Sequence, residues 1–217
     1  MCNVVRRGSK IDDMDIMRRL ALTSFILFGV LSCSSTDDGL REKTQTPVQE
    51  PSAAPALWDG QPEGRVWTQS ALAALDSHGA PLVAMVPQDI DKYCPGYVTA
   101  GREGRAAFWV QLLSALAKHE STWRADAAGG DGQWLGLLQI SPATASAYGC
   151  RANSATDLKD GSMNVSCAIR IMAVTVPRDG VISQDLGGVA ADWAPFHVPE
   201  KRRDIQATTR AHPRCAP

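Results

Sequence analysis

Apolar residues recur at helical spacing along the middle of the chain and predict its longest helix. Two neighbouring stripes follow this spacing: Phe108, Leu112 and Leu116, and beside them Trp109, Leu113 and Ala117. Side chains three and four residues apart share one face of an α-helix, so residues 104–120 are expected to form an amphipathic helix. Glu120 continues the first stripe, which places its carboxyl group at the edge of a core.

The rest of the pattern also favours helices, and strand signals are few. Four further stretches carry helical periodicity or good helix formers, with Pro and Gly between them: residues 68–78, 142–148, 162–174 and 188–193. Residues 81–87 favour an extended conformation, and the prolines at both ends predict an edge strand or an irregular segment. The sequence therefore predicts a mainly α fold.

An apolar run near the N-terminus predicts a bacterial lipoprotein signal. Met17, Arg18 and Arg19 precede the run 20–31, and Cys33 follows a small residue. A spanning helix needs about 20 apolar residues, so a cleaved signal is favoured over the alternative of a membrane anchor. The resemblance to lipobox sequences implies cleavage before Cys33 and diacylation of its thiol. Residues 1–32 are thus expected to be leader and signal peptide.

The residues around this signal refine the expected location. The polar stretch 1–15 is unusual ahead of such a signal, and we expect the natural start at Met14 or Met17. The residue after Cys33 is Ser34 and not Asp. By analogy with lipoprotein sorting in enterobacteria, this indicates an outer-membrane anchor that faces the periplasm. Residues 33–56 are rich in Ser, Thr, Asp, Gln and Pro, and they predict a flexible tether. Residues 57–217 are long enough for one domain with its own core.

Composition and charge exclude one class of partner. Apolar residues make up 44% of the chain and charged residues 21%, which is ordinary for a globular protein. The formal net charge is −1, and Lys201-Arg202-Arg203 is the one short basic run. A nucleic-acid partner is therefore not expected.

Four cysteines remain after Cys2 in the leader and Cys33 are set aside, and an even number in an exported domain indicates two disulfides. Three connectivities are possible. The spacing favours Cys150 with Cys167, and Cys94 with Cys215, so that the ends of the domain are tied. A zinc site is the alternative, but no Cys-x-x-Cys pair is present and the histidines are scattered, so no metal is expected.

The position of Glu120 has a chemical consequence. A carboxyl group held against apolar surface loses hydration of its charged form, which raises its pKa and keeps it protonated near neutral pH. Such a group can serve as the general acid in glycosidic bond cleavage. The alternative is a carboxylate that reaches solvent or pairs with a buried Arg.

Glu120-Ser121 is followed, after a loop, by Gly136-Leu137-Leu138-Gln139-Ile140 and then Pro-Ala-Thr-Ala. These two motifs resemble the soluble lytic transglycosylase (SLT) domain, a lysozyme-like family that acts on peptidoglycan. The resemblance covers roughly residues 108–193. It implies a mainly α, lysozyme-like domain of the goose-type lysozyme and SLT kind, with a substrate cleft beside the end of the Glu120 helix. Leu138 stands where the family usually has Met.

The resemblance also implies the roles of individual residues. Glu120 matches the catalytic acid, and the residues expected to line the cleft or bind substrate are Ser121, Gly136, Leu138, Gln139, Asn164 and Trp193. The loop 125–134 is unusually rich in Gly, and the family's Tyr-Asn-Ala-Gly segment is missing. Trp193 stands near its place and is expected to pack there.

Three of these residues have a plainer alternative role. The Gln139 amide is expected to bind a sugar hydroxyl or N-acetyl group, and Gly136 to let the backbone approach the glycan closely. Gln139 as a solvated loop residue and Gly136 as a turn glycine are the alternatives. Ser121 is expected to bond either backbone or substrate.

The mechanism implied by the resemblance uses one acid. Glu120 would protonate the leaving oxygen and then accept the proton of the muramyl O6 hydroxyl, which closes a 1,6-anhydro ring without a cofactor. Glycosidases that use water normally need two carboxylates, and Asp126 and Asp131 on the following loop are the local candidates. A water-using muramidase and a non-catalytic peptidoglycan-binding lipoprotein are therefore the alternatives. The sequence does not identify a protein partner.

Overall fold

Helices account for most of the ordered elements in residues 55–217, the part of the chain that this computed structural model describes. Seven α-helices fall in that range: α1 (Gly64–Asp76), α2 (Ala80–Ala84), α3 (Arg102–Ser121), α4 (Pro142–Ala147), α5 (Ala155–Leu158), α6 (Gly161–Asp179) and α7 (Pro199–Arg210). A small antiparallel hairpin joins β1 (Ala128–Gly129) to β2 (Trp134–Leu135). The mainly α prediction is confirmed.

The central helix α3 is buried on most of its surface, whereas its sequence predicts burial on one face. Phe108, Leu112 and Leu116 are fully buried, as expected, and each contributes about 1.5–3 kcal/mol through removal from water. Gln111 and Ser114 are buried as well. Helices α1, α2 and α7 pack around α3, so that polar positions that would face solvent in an isolated amphipathic helix are enclosed.

Helix α6 forms the second long element of the core and packs against α1 and α2. The Asp160 side chain caps its first turn by accepting a hydrogen bond from the Met163 backbone N–H at 3.0 Å. At the other end Gly180 takes a left-handed conformation with φ of 70°, which stops the helix. The helix is therefore longer than the predicted range 162–174.

Two local predictions differ from the structure, and one 12-residue helix was missed. The stretch 81–87 contains α2 instead of an extended segment, because Pro81 lies in the first turn, where a missing N–H costs nothing. The predicted helix 188–193 is a 3-10 helix, Gly188–Ala191. Helix α7 was not predicted, because Ile205 is its only large buried apolar residue.

Both predicted disulfides are present. Cys94 bonds to Cys215 and Cys150 bonds to Cys167. The first bond joins residues 121 positions apart and ties the segment before α3 to the end of the chain. A cross-link over so long a loop removes much entropy from the unfolded chain, in the chain-entropy account.

The predictions for the N-terminal part fall largely outside the described residues. The leader 1–32, the lipid site Cys33 and all but the last two residues of the tether 33–56 lie there. No helix in the described range 55–217 has the length and apolarity needed to cross a membrane.

Candidate active site

Glu120 lies in the last turn of α3, one turn beyond the buried Leu116. The carboxyl group is largely buried, and this burial raises its pKa from 4.5 to about 7, although the nearby Lys201 ammonium lowers it in part. Glu120 therefore lies where the sequence predicts it, and burial shifts its pKa in the predicted direction. Near pH 7 a substantial fraction of the carboxyl groups carries a proton, as a general acid requires.

The chain turns sharply directly after this glutamate. Thr122 and Trp123 both have left-handed backbone conformations, with φ of 54° and 58°. Such conformations cost free energy in residues other than glycine and persist where surrounding contacts enforce them. Here the Trp123 indole N–H donates to the Ser114 carbonyl at 2.9 Å and holds the turn against α3. The end of the helix is thus fixed next to Glu120.

Ser121 connects the end of α3 to the segment 136–140. Its hydroxyl donates to the Leu137 carbonyl at 3.0 Å, and also lies 3.3 Å from the Ala117 carbonyl. The side chain is buried, at 5% exposure. Of the two roles predicted for Ser121, the structure shows the backbone bond, which places the segment beside Glu120.

Asn164 on α6 holds the same segment from the other side. Its side-chain oxygen accepts a hydrogen bond from the Leu138 backbone N–H at 2.9 Å. Its amide nitrogen donates to the Leu135 carbonyl at 3.0 Å and to the Leu158 carbonyl at 2.9 Å. Asn164 and Leu138 are both fully buried. The Asn164 side chain therefore positions the segment, and the Leu138 side chain packs in the core.

Trp193 supports the segment at the position where the sequence places it. Its indole N–H donates to the Leu138 carbonyl at 2.9 Å, and the ring is 3% exposed. The expected packing of Trp193 in this region is therefore observed. Contact of Trp193 with substrate stays a prediction.

Gly136 is required for a reason other than the predicted approach of a glycan. Its φ of 76° favours glycine, and an added Cβ would lie 2.0 Å from the Leu158 carbonyl oxygen and 2.5 Å from the Asn164 amide nitrogen. The face of Gly136 is thus filled by protein. Its role is that of a turn glycine, the alternative given by the sequence.

Gln139 is the partly exposed member of the segment. Its backbone is left-handed, with φ of 47°, and its amide nitrogen donates to the Gly136 carbonyl at 2.9 Å. An added Cβ on Gly129 would lie 2.5 Å from the Gln139 side-chain oxygen, so this side chain lies against the β1–β2 hairpin. Its remaining hydrogen-bonding capacity is available for a sugar.

The hairpin was not predicted, since two strands of two residues give no alternating pattern. Asp131 in its turn is exposed and has φ of 55°. Trp134 is 48% exposed, and its ring covers Gly130, where an added Cβ would lie 2.0 Å from the ring. An indole fixed at the surface in this way can stack on a sugar ring.

Helix α7 supplies charged groups that the sequence did not connect with the site. Asp204 accepts hydrogen bonds from Lys118 at 3.0 Å and from His119 at 2.8 Å. The Lys118 bond, together with the His119 bond, lowers the pKa of Asp204. His119 therefore points away from Glu120, as expected for adjacent helix positions. Lys201, also on α7, is the charged group whose field acts on Glu120.

A groove of about 550 Å³ lies elsewhere, between α1 and α6, and Glu120 is not among its lining residues. In the described residues no three His, Cys, Asp or Glu side chains form a group that could hold a metal ion.

This fold and site define a family. The model described as Transglycosylase SLT domain matches residues 99–179, a range that contains Glu120, the segment 136–140 and Asn164. The chain belongs to this family, and the resemblance drawn from the sequence is confirmed. Membership implies a peptidoglycan substrate, a component of the bacterial cell envelope.

Solved structures of one protein, titled Bd0314 DslA, are similar to the chain. A glutamate-to-glutamine mutant is 30% identical with a TM-score of 0.67, and covers 74% of this chain and 97% of its own. The wild-type form 2 gives 30% identity, a TM-score of 0.66 and the same coverages. A mutant of a second glutamate is 29% identical with a TM-score of 0.66. The lysozyme-like helical fold is thereby confirmed. No curated protein matches the chain.

Proposed function

We propose that this protein is a peptidoglycan lytic transglycosylase that cleaves the MurNAc–GlcNAc β-1,4 bond with Glu120 as its single acid and base. The observation that carries the proposal is the place of Glu120 in the last turn of α3, where burial of the carboxyl group raises its pKa to about 7. Burial and the Lys201 ammonium are the causes of that pKa, and no second carboxylate of residues 55–217 contributes to it. Family membership supplies the substrate class.

In the first step the protonated Glu120 donates its proton to the glycosidic oxygen. The C1–O4 bond breaks, its electron pair stays on the leaving oxygen, and positive charge develops on the muramyl ring. A carboxyl group with a pKa near the working pH is effective here, since it is both protonated and acidic enough to give the proton up.

In the second step the ionised Glu120 accepts the proton of the muramyl O6 hydroxyl. The O6 electron pair forms the new bond to C1, which closes a 1,6-anhydro ring. Because O6 belongs to the same sugar, its attack has a large effective concentration, and no residue need activate water.

Sugar binding is assigned to exposed groups of the segment 136–140 and the hairpin. The Gln139 amide is partly exposed and is held by the Gly136 carbonyl. Trp134 presents an exposed indole on the hairpin that contacts Gln139. The buried residues Ser121, Leu138, Asn164 and Trp193 support these groups through the contacts described above.

A second candidate is a muramidase that uses water, with Asp131 as the second carboxylate. The two glutamates replaced in the Bd0314 DslA mutants are eleven residues apart in that protein. The same spacing in this chain joins Glu120 to Asp131. Asp131 lies at the turn of the hairpin, in an exposed and left-handed position.

Digestion of purified sacculi by the full chain and two variants separates these candidates. A Glu120→Gln protein is expected to release no soluble muropeptides, and an Asp131→Asn protein to release them at a rate within a few-fold of the unchanged chain. Loss of release in both variants would instead support the two-carboxylate muramidase. Binding to sacculi without any release by the unchanged chain would support the non-catalytic binder.

We also propose that the enzyme is anchored in the outer membrane through Cys33 and reaches the wall from the periplasm by the tether 33–56. The basic residues, short apolar run and small residue before Cys33 support this location. Labelling of cells with a fatty-acid analogue is expected to mark the chain, and a Cys33→Ala variant is expected to carry no label. Equal labelling of both proteins would exclude this anchor.

A further inference from the structure

Helix α7 is attached to the end of α3 by a defined set of contacts. Asp204 accepts hydrogen bonds from both Lys118 and His119, the two residues before Glu120. Lys201 precedes Asp204 by three positions, and residues three apart lie on the same face of a helix. The face of α7 that contacts α3 therefore also presents Lys201 toward the last turn of α3.

The other charged groups near Glu120 are bonded elsewhere or exposed. Arg124, just after α3, is exposed and donates to the Ser121 carbonyl at 3.4 Å. On α3, Lys118 and His119 are both bonded to Asp204. The segment 136–140 carries no charge, and the acidic residues Asp126 and Asp131 near the hairpin are exposed.

On α7 itself, the neighbours of Lys201 are engaged or directed elsewhere. Arg202 donates to the Phe196 carbonyl at 3.1 Å, while Glu200 and Arg203 are exposed. Lys201 is partly buried, and its ammonium acts directly on the Glu120 carboxyl.

We propose that Lys201 is a positioning residue whose ammonium stabilises the Glu120 carboxylate between the two proton transfers. This inference rests on the function proposed above. After Glu120 has given its proton to the leaving oxygen, the resulting carboxylate lies in a poorly hydrated site. The ammonium of Lys201 offsets the lost hydration, so the carboxylate persists until the O6 proton reaches it. The electron pairs move as described for the two steps.

The burial of Glu120 and the charge of Lys201 thus act in opposite directions on one group. Burial alone favours the acid role, since it retains the proton. The nearby ammonium favours the base role, since it stabilises the ion. A carboxyl group that acts first as an acid and then as a base needs an intermediate pKa, between the values that favour each role.

The test is a direct titration of the Glu120 side chain by NMR of the full chain labelled with ¹³C in its glutamate carboxyl groups. Glu120→Gln identifies the signal by its loss. In Lys201→Met the midpoint is expected to rise by roughly half a pH unit, the size of a Coulomb interaction between partly exposed charges. Lys201→Arg keeps the charge and is expected to titrate near the unchanged chain, as is Arg203→Met, which removes an exposed cation of the same helix.

An unchanged midpoint in a folded Lys201→Met protein would overturn the inference. The titration needs no substrate, so its outcome is separate from the proposed activity. Sacculus digestion measured over a range of pH then tests whether this charge interaction affects catalysis. The pH above which activity falls is expected to be higher in Lys201→Met and unchanged in Arg203→Met. A lower rate with an unchanged limit would mean that Lys201 has only a structural role.

Discussion

The buried carboxyl of Glu120 should make the protein less stable as the pH rises. Between 4.5 and about 7, the range from the ordinary pKa to the raised one, the folded state retains a proton that the unfolded state has released. Stability depends on this difference in bound protons, so the free energy of unfolding falls as the pH rises through this range. Below pH 4.5 both states are protonated, and above about 7 both are ionised.

The structure sets the size of this effect. A pKa of about 7 in place of 4.5 corresponds to roughly 3 kcal/mol, at about 1.4 kcal/mol for each pH unit. Glu120→Gln carries a neutral amide of similar shape at every pH. The variant should therefore match the unchanged protein near pH 4 and exceed its stability by about 2–3 kcal/mol near pH 8.

Chemical denaturation at a series of pH values measures this difference. Glu103→Gln is the matched control, because Glu103 is exposed in the first turn of the same helix. The free energy of unfolding of Glu103→Gln should stay within about 0.5 kcal/mol of that of the unchanged protein at every pH, as for other surface substitutions. A Glu120→Gln difference that does not change with pH would refute the raised pKa and, with it, the acid role assigned to burial.

Three further predictions concern the support of the site. Asn164→Ala removes three hydrogen bonds from buried backbone groups, so it should lower the free energy of unfolding by about 3 kcal/mol or more in urea denaturation and abolish sacculus digestion. A loss of less than about 1 kcal/mol would contradict the positioning role. The double variant Cys94→Ala, Cys215→Ala should lose about 2–5 kcal/mol of unfolding free energy in urea denaturation, compared with the reduced and oxidised parent. If the double variant were as stable as the oxidised parent, this prediction would be contradicted. Trp134→Ala should weaken binding to sacculi several-fold in pull-down titrations, and because the indole is 48% exposed, the melting temperature should change little. Unchanged binding would exclude a role of this indole in sugar binding.

The sequence was informative where local spacing decides structure. The four-residue spacing of Phe108, Leu112, Leu116 and Glu120 is a property of α3 alone, and it placed the carboxyl group correctly. The cysteine pairs were also found from position along the chain. Both the apolar spacing and the cysteine positions can be read from the sequence without knowing which distant elements contact one another.

Residues whose function depends on distant contacts were missed or given another role. Lys201 and Asp204 lie more than eighty residues beyond Glu120, and their helix carries one large buried apolar residue, so nothing local connects them with the site. Asn164 was recognised as a site residue, but its three backbone partners lie on β2, the segment 136–140 and α5, which only the fold brings together. The hairpin was missed because its strands are too short for a period to appear.

The most direct test of the central claim is mass spectrometry of the muropeptides released from sacculi in water enriched in ¹⁸O. A lytic transglycosylase that uses Glu120 alone forms 1,6-anhydromuramyl ends without incorporating solvent oxygen, and Glu120→Gln abolishes these products. Reducing ends that carry ¹⁸O would contradict the account and identify a hydrolase that activates water.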